Sequence, residues 1–462
     1  MTRSAWLLVL IAALTSARAE WTGAFDIGAW HARNNLADNP KFLENDGVGE
    51  SYVDKDFSLF TFSLRADNDR LFDSGTAMHI DGRSLYKPFD DDRYTLGPEQ
   101  SRYELRELSL EFKRAFGETD LWIGRQRIAP AGFVGIDGLR TVTHLNDRTD
   151  LGFFGGLGNN PRTYTGYIGP VYEANPFAIR FQSFGAYVSK RSQRFGADFA
   201  VTASMFDVSL DRVFAFSQMS YMIDPVWTVS GLVQAGFVGF RGLELLQTNV
   251  ITKPSKKFTN TVSFFRSTNL VYNASNASVI PVGPVSDPAL FGDGDVVTAS
   301  YNTVREHFAF NVFEKSQVFG SIEYARRTFD DASRMKYTAG FREPDLFSSG
   351  TDLRLQTDLI DNYRGFNSVL DLQLGKEFFD GDFRLDGGVT LFSNERDVFA
   401  NNAATGTRAD EEEYTLRAMA TLLTGRKTYW NFVYNLHREI DTLSDDQKVK
   451  IHEFFILSHL GF

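Results

Sequence analysis

The chain has 462 residues, 48 basic against 59 acidic side chains, and no cysteine. The acidic balance excludes a nucleic-acid partner, which needs a basic face, and the missing thiols exclude disulfide staples and thiolate metal sites. Its 43 Phe, 17 Tyr and 6 Trp occur without a spanning-helix-length apolar run, which fits strands whose apolar side chains come at every second position.

Residues 1–19 read as a secretory signal peptide, with Arg3, the apolar run Leu7 to Leu14, and the small-residue site Ala17-Arg18-Ala19. The run is too short to cross a bilayer. Cleavage would leave residues 20–462 with 46 basic and 59 acidic side chains, a net charge of −13. A first strand at 21–30 would follow almost at once, leaving no room for an N-terminal plug or periplasmic domain.

From there the chain reads as a transmembrane antiparallel up-and-down β-barrel of about 18 strands. Phe195, Ala197, Phe199 and Val201 alternate with Asp198 and Thr202; Trp227, Val229 and Val233 alternate with Ser230 and Gln234. Phe383, Leu385, Val389 and Leu391 repeat the pattern near the C-terminus, as do Tyr414, Leu416 and Leu422, and Trp430, Phe432, Tyr434 and Leu436. Tight polar turns such as Asp224-Pro225, Lys253-Pro254-Ser255, Asp380-Gly381 and Gly425-Arg426-Lys427 are expected in the periplasm. Long links at 31–54, 128–176, 270–294, 329–365 and 394–411 are expected outside the cell. Within 329–365, Met335, Tyr337, Ala339 and Phe341 alternate as a strand would, but adding it breaks parity unless 351–359 is a strand too, so both are read as loop.

The last strand ends on Phe462, with Leu460, Ile456 and Phe454 on the same face. This ending resembles the terminal strand signal that the barrel-assembly machinery reads in Gram-negative outer-membrane barrels. It implies an integral protein in contact with outer-membrane lipid.

A barrel this wide leaves a wet channel unless a segment folds inward. The glycine-rich segment 128–176 is the candidate constriction, with Asp137, Arg140, Arg148 and Asp150 as charges that could set a field across the pore. Inward positions include Glu107, Glu111, Asp198, Asp371, Asp386 and Glu453, offset by Lys113, Arg180, Arg384 and Arg417. Arg125 and Arg127 share their face with Leu121 and Ile123; the lumen is the expected side, because an arginine on lipid at mid-bilayer costs about 2–4 kcal/mol.

The run Tyr103-Glu104-Leu105-Arg106-Glu107-Leu108-Ser109-Leu110-Glu111-Phe112, followed by Asp120-Leu121-Trp122-Ile123-Gly124-Arg125-Gln126-Arg127, resembles the paired strands of alginate-export-type porins. The resemblance implies a barrel that lets an acidic polysaccharide leave through an Arg-lined lumen, with Arg106, Arg125 and Arg127 as pore cations.

The function expected from this reading is passive passage of a small polar solute or an exported polysaccharide, with no catalytic residues, cofactor or metal. Two alternatives come from other classes. One is a barrel that anchors or sheathes partners in an envelope complex for secretion, motility or electron transfer. The other is an outer-membrane hydrolase, although none of His31, His79, His144, His307, His437, His452 and His459 sits in a recognisable catalytic motif.

Overall fold

Alternation lets each strand turn one face to lipid and one to water, and closing the sheet on itself leaves no edge with unpaired backbone groups. The computed structural model follows that logic. It describes residues 21–34, 56–71, 75–86, 101–158, 181–206, 209–238, 241–271, 297–313, 315–328, 332–362, 365–400, 403–441 and 448–462.

The strands are β1 (Trp21–Asn34), β2 (Asp56–Leu71), β3 (Thr76–Tyr86), β4 (Ser101–Phe116), β5 (Thr119–Ile128), β6 (Val134–Asn146), β7 (Thr149–Gly158), β8 (Phe181–Arg191), β9 (Phe195–Phe206), β10 (Ser209–Met222) and β11 (Trp227–Val238). They continue as β12 (Gly242–Ser255), β13 (Phe258–Val271), β14 (Val297–Asn311), β15 (Gln317–Arg327), β16 (Ser333–Leu346), β17 (Thr351–Asn362), β18 (Gly365–Phe378), β19 (Phe383–Ala400), β20 (Ala403–Gly425), β21 (Thr428–Asp441) and β22 (Lys448–Gly461). Each pairs antiparallel with the next, and β22 pairs back onto β1 with Gly28 opposite Leu457. The result is a closed 22-stranded barrel.

The strand count is therefore 22, where the sequence reading expected about 18. Two hairpins make up the difference. β6 and β7 occupy much of the expected 128–176 loop, and β16 and β17 occupy most of the expected 329–365 loop. The expected 394–411 loop shrinks as well, because β19 runs to Ala400 and β20 starts at Ala403. The signal peptide and most of the loops at 31–54 and 270–294 lie outside the described residues.

Glycine explains why the first hairpin reads as a loop. Gly138 and Gly156 stand opposite each other so closely that a Cβ on either would lie 2.6–2.7 Å from the other's Cα. A Cβ on Gly152 would lie 2.1 Å from the Tyr187 ring. These glycines make room for backbone approach and for aromatic rings inside regular strands.

The outward face carries an apolar belt suited to lipid, with Phe62, Phe199, Val201, Met219, Phe308, Leu370, Leu416 and Phe432 all exposed. Phe454, Ile456 and Phe462 are exposed on it too. On the inward face Asp198, Thr202 and Ser204 alternate with those residues on β9 and are buried.

Candidate functional site

The connection from β5 to β6 turns inward. Ala129–Ala131 forms one 3-10 turn, closed by backbone hydrogen bonds from Gly132 N–H to Ala129 O and from Phe133 N–H to Ile128 O. Gly132 and Phe133 both have positive φ, 79° and 62°, which bends this latch back on itself. Ile128, Ala131 and Ile136 pack with Phe154, Tyr187, Ala200, Phe214 and Phe216 into a buried apolar cluster. A Cβ on Gly132 would lie 3.0 Å from the Phe216 ring, so glycine lets the latch lie flat on the wall. The latch thus covers the inner face of β8 to β10 and narrows the lumen.

Inside β2 to β4 lies a wall of carboxylates and histidine. His79 Nδ1 is 2.8 Å from Asp67 and its Nε2 3.4 Å from Glu111. Asp81 pairs in register with Glu107, which accepts a hydrogen bond from Ser109. At the seam, His459 Nδ1 lies 2.6 Å from Asp26, which also accepts from Ser63.

From β16 to β20 the wall is different. Arg342 on β16 stands opposite Arg354 on β17, Arg354 opposite Gln373 on β18, Gln373 opposite Gly388 on β19, and Gly388 opposite Arg417 on β20. The register thus lays three arginines along one row of the inner wall. None of them has an ion-pair partner among the described residues. Arg354 donates to Gln356 at 2.8 Å, and Arg417 reaches only the Met419 sulfur at 3.9 Å. Arg305 on β14 adds a further exposed cation to the same cavity of about 980 Å³.

Acidic groups on this wall are already engaged. Arg384 holds Asp352 at 2.5 Å, Asp386 at 2.7 Å and Glu377 at 3.3 Å. Lys336 holds Asp358 at 3.1 Å, Arg334 pairs with Glu323, and Asp371 accepts from Thr390 and Gln373. Formal charge is close to balanced, yet the positive groups left open to water are the arginines of the row.

The sequence candidates fall in several places. Glu107, Glu111, Arg384 and Arg417 lie on the inner wall, while Lys113 sits near the tight-turn rim, 3.6 Å from Asp69. Arg106 is the extra residue of a β-bulge opposite Asp81 and Gly82, and Arg180 lies outside the described residues. Arg125 and Arg127 require correction. The register puts them on the face of Ile123, Leu139 and Leu157, opposite to buried Gln126 and Ile128. Arg125 escapes the lipid cost expected there because Asp137 receives it through two hydrogen bonds of 2.5–2.6 Å.

The proposed constriction-loop charges require correction too, since none lies on an inward loop. Asp137 and Arg140 are on β6 and Asp150 is on β7, bound 2.7 Å from His144. Arg148 is in the tight turn between them. Arg140 does face inward, packed over Trp122 and donating to the Tyr187 hydroxyl at 2.6–2.8 Å. The part of this segment that packs inward is instead Ile128 to Ile136, around the apolar turn Ala129–Ala131.

Sequence reasoning missed Arg305, Arg342 and Arg354. The signal was present in the Met335 to Phe341 alternation, since a strand there puts Arg342 on the opposite face from Phe341.

No protein-family model matches the chain, and no curated protein matches it. Among solved structures, the chain is similar to OccAB2 of Acinetobacter baumannii at 10% identity, over 96% of this chain and 98% of that one, with a TM-score of 0.45. It is also similar to OpdK of Pseudomonas aeruginosa, solved with vanillate, at 9% identity over 96% and 99% of the two chains, with a TM-score of 0.43. A BenF-like porin from Pseudomonas fluorescens Pf-5 gives 10% identity, the same coverage and a TM-score of 0.43.

Proposed function

We propose that the protein is an outer-membrane channel for passive passage of small polar solutes, with a preference for anions. The observation that carries this reading is the row of Arg342, Arg354 and Arg417, exposed to lumen water with no carboxylate partner among the described residues. Like charges directly opposite on neighbouring strands repel, so the row is a standing attraction for an anion that can bridge them. Guanidinium groups offer paired N–H donors to a carboxylate or phosphate. By strand count β16 and β17 lie eleven steps round the ring from β5 and β6, so a solute would pass between the arginines and the latch. An exported acidic polysaccharide is a narrower case of the same chemistry. We adopt the small solute, because the latch narrows the lumen.

The test is the reversal potential of the purified barrel in a planar bilayer under a salt gradient. The expected result is anion preference that falls when Arg342 and Arg354 are both changed to Ala. A folded, heat-modifiable barrel that never conducts would overturn the reading in favour of a structural anchor.

A further inference from the structure

Between the latch and the tight-turn rim, the inner wall of β9 to β12 holds a second cavity of about 560 Å³. Its lining differs in kind from the arginine wall. Gln218, Ser220, Ser230, Gln247 and Asn249 supply amides and hydroxyls, and Leu232 is an apolar patch among them. The charges are few. Asp198 is 1% exposed and takes both its oxygens to Arg191 at 2.7 Å, with a further donor from Gln218. That pair is neutral as a unit, and Arg194 stands in the turn at the mouth.

Several of the polar groups remain available. Gln247 is exposed and makes no side-chain hydrogen bond among the described residues, and Ser220 is likewise open. Asn249 reaches Ser230 only at 3.5 Å. An amide offers a donor and an acceptor side by side, which matches neighbouring hydroxyls on a carbon chain. We infer that this wall, with its amides and hydroxyls between the Arg191–Asp198 pair and Arg194 at the mouth, is a second subsite that takes the hydroxyl groups of a neutral polyhydroxylated solute, a sugar or polyol.

The inference rests on the channel reading for its place in transport, but the binding itself can be read without current. Saturation-transfer NMR on the detergent-solubilised full chain, with trehalose as the probe, should show transfer to the sugar protons. Changing Gln247 and Asn249 together to Leu should lower that transfer at least fivefold, while Phe308→Leu on the outer face leaves it unchanged. Heat-modifiable mobility would confirm that each variant is folded. No transfer, or transfer undiminished in the double variant, overturns the subsite. A barrel that binds trehalose without conducting would sink the channel reading and leave the subsite standing.

Discussion

Arg342 and Arg354 face each other across neighbouring strands of the inner wall, and neither meets a carboxylate among the described residues. Paired strands usually place opposite charges in such positions, and like charges cost up to about 1 kcal/mol. Here the cost is kept, and Arg417 extends the row three strands further round. Arg354→Gln should therefore leave the barrel as stable as before or raise its stability by about 0.5 kcal/mol or less. Anion preference should fall at the same time, most visibly at low salt, where screening is weakest. Urea unfolding in detergent and reversal potentials measure the two effects separately. A loss of stability together with unchanged selectivity would show that the arginines hold the wall and not the solute.

Removing Arg384 should act in the other direction on the same wall. Its guanidinium is shared among Asp352, Asp386 and Glu377, so Arg384→Met would free three carboxylates in one stretch of lumen. The expected outcome is a shift of the reversal potential toward cations larger than that of Arg354→Gln, even though each substitution removes one charge. Equal shifts would mean that net charge alone sets selectivity.

Much of the fold is legible in the sequence, and the reasons for its gaps are physical. Alternation from Phe195 onward and from Phe383 onward marks strands because their outward positions carry bulky apolar groups. The β6–β7 hairpin hides because Gly138, Gly152 and Gly156 occupy strand positions where backbone or the Tyr187 ring leaves no space for a side chain. The β16–β17 hairpin hides for a different reason: its alternation is visible, but parity admits it only as a pair. The site suffered most, since Arg342 and Arg354 lie on that second hairpin. Arg125 is hard to place from sequence because the lipid cost of an arginine falls once a carboxylate shares its face, and that carboxylate, Asp137, lies on the glycine-rich strand β6, whose alternation is hidden.

That pair gives the next test. Arg125 and Asp137 lie on the outer face, so neutralising both together should leave the reversal potential unchanged. Asp137→Asn alone should destabilise the barrel by about 1–3 kcal/mol, because it leaves a guanidinium on the apolar face without its carboxylate. Changing both to Leu should recover part of that loss. A selectivity change from the double variant would return Arg125 to the pore.

The latch makes the sharpest prediction about conduction. It is held by apolar packing, with Ile128 and Ile136 at 0% exposure and Ala131 lying among Phe214 and Phe216. Ile128→Ala should cost about 2–5 kcal/mol of the packing that seats it. If the barrel wall is stable without the latch, that loss appears as movement of the latch and leaves the barrel folded. Single-channel current should then rise above the wild-type level or flicker between two levels. Gly132→Val adds a side chain at φ 79° against the Phe216 ring and should unseat the latch by another route, giving the same current. Deleting Pro130 to Phe133 should give the wide level without flicker, since nothing remains to reseat. Three variants with wild-type conductance would place the narrowest point of the lumen elsewhere, on the arginine wall itself.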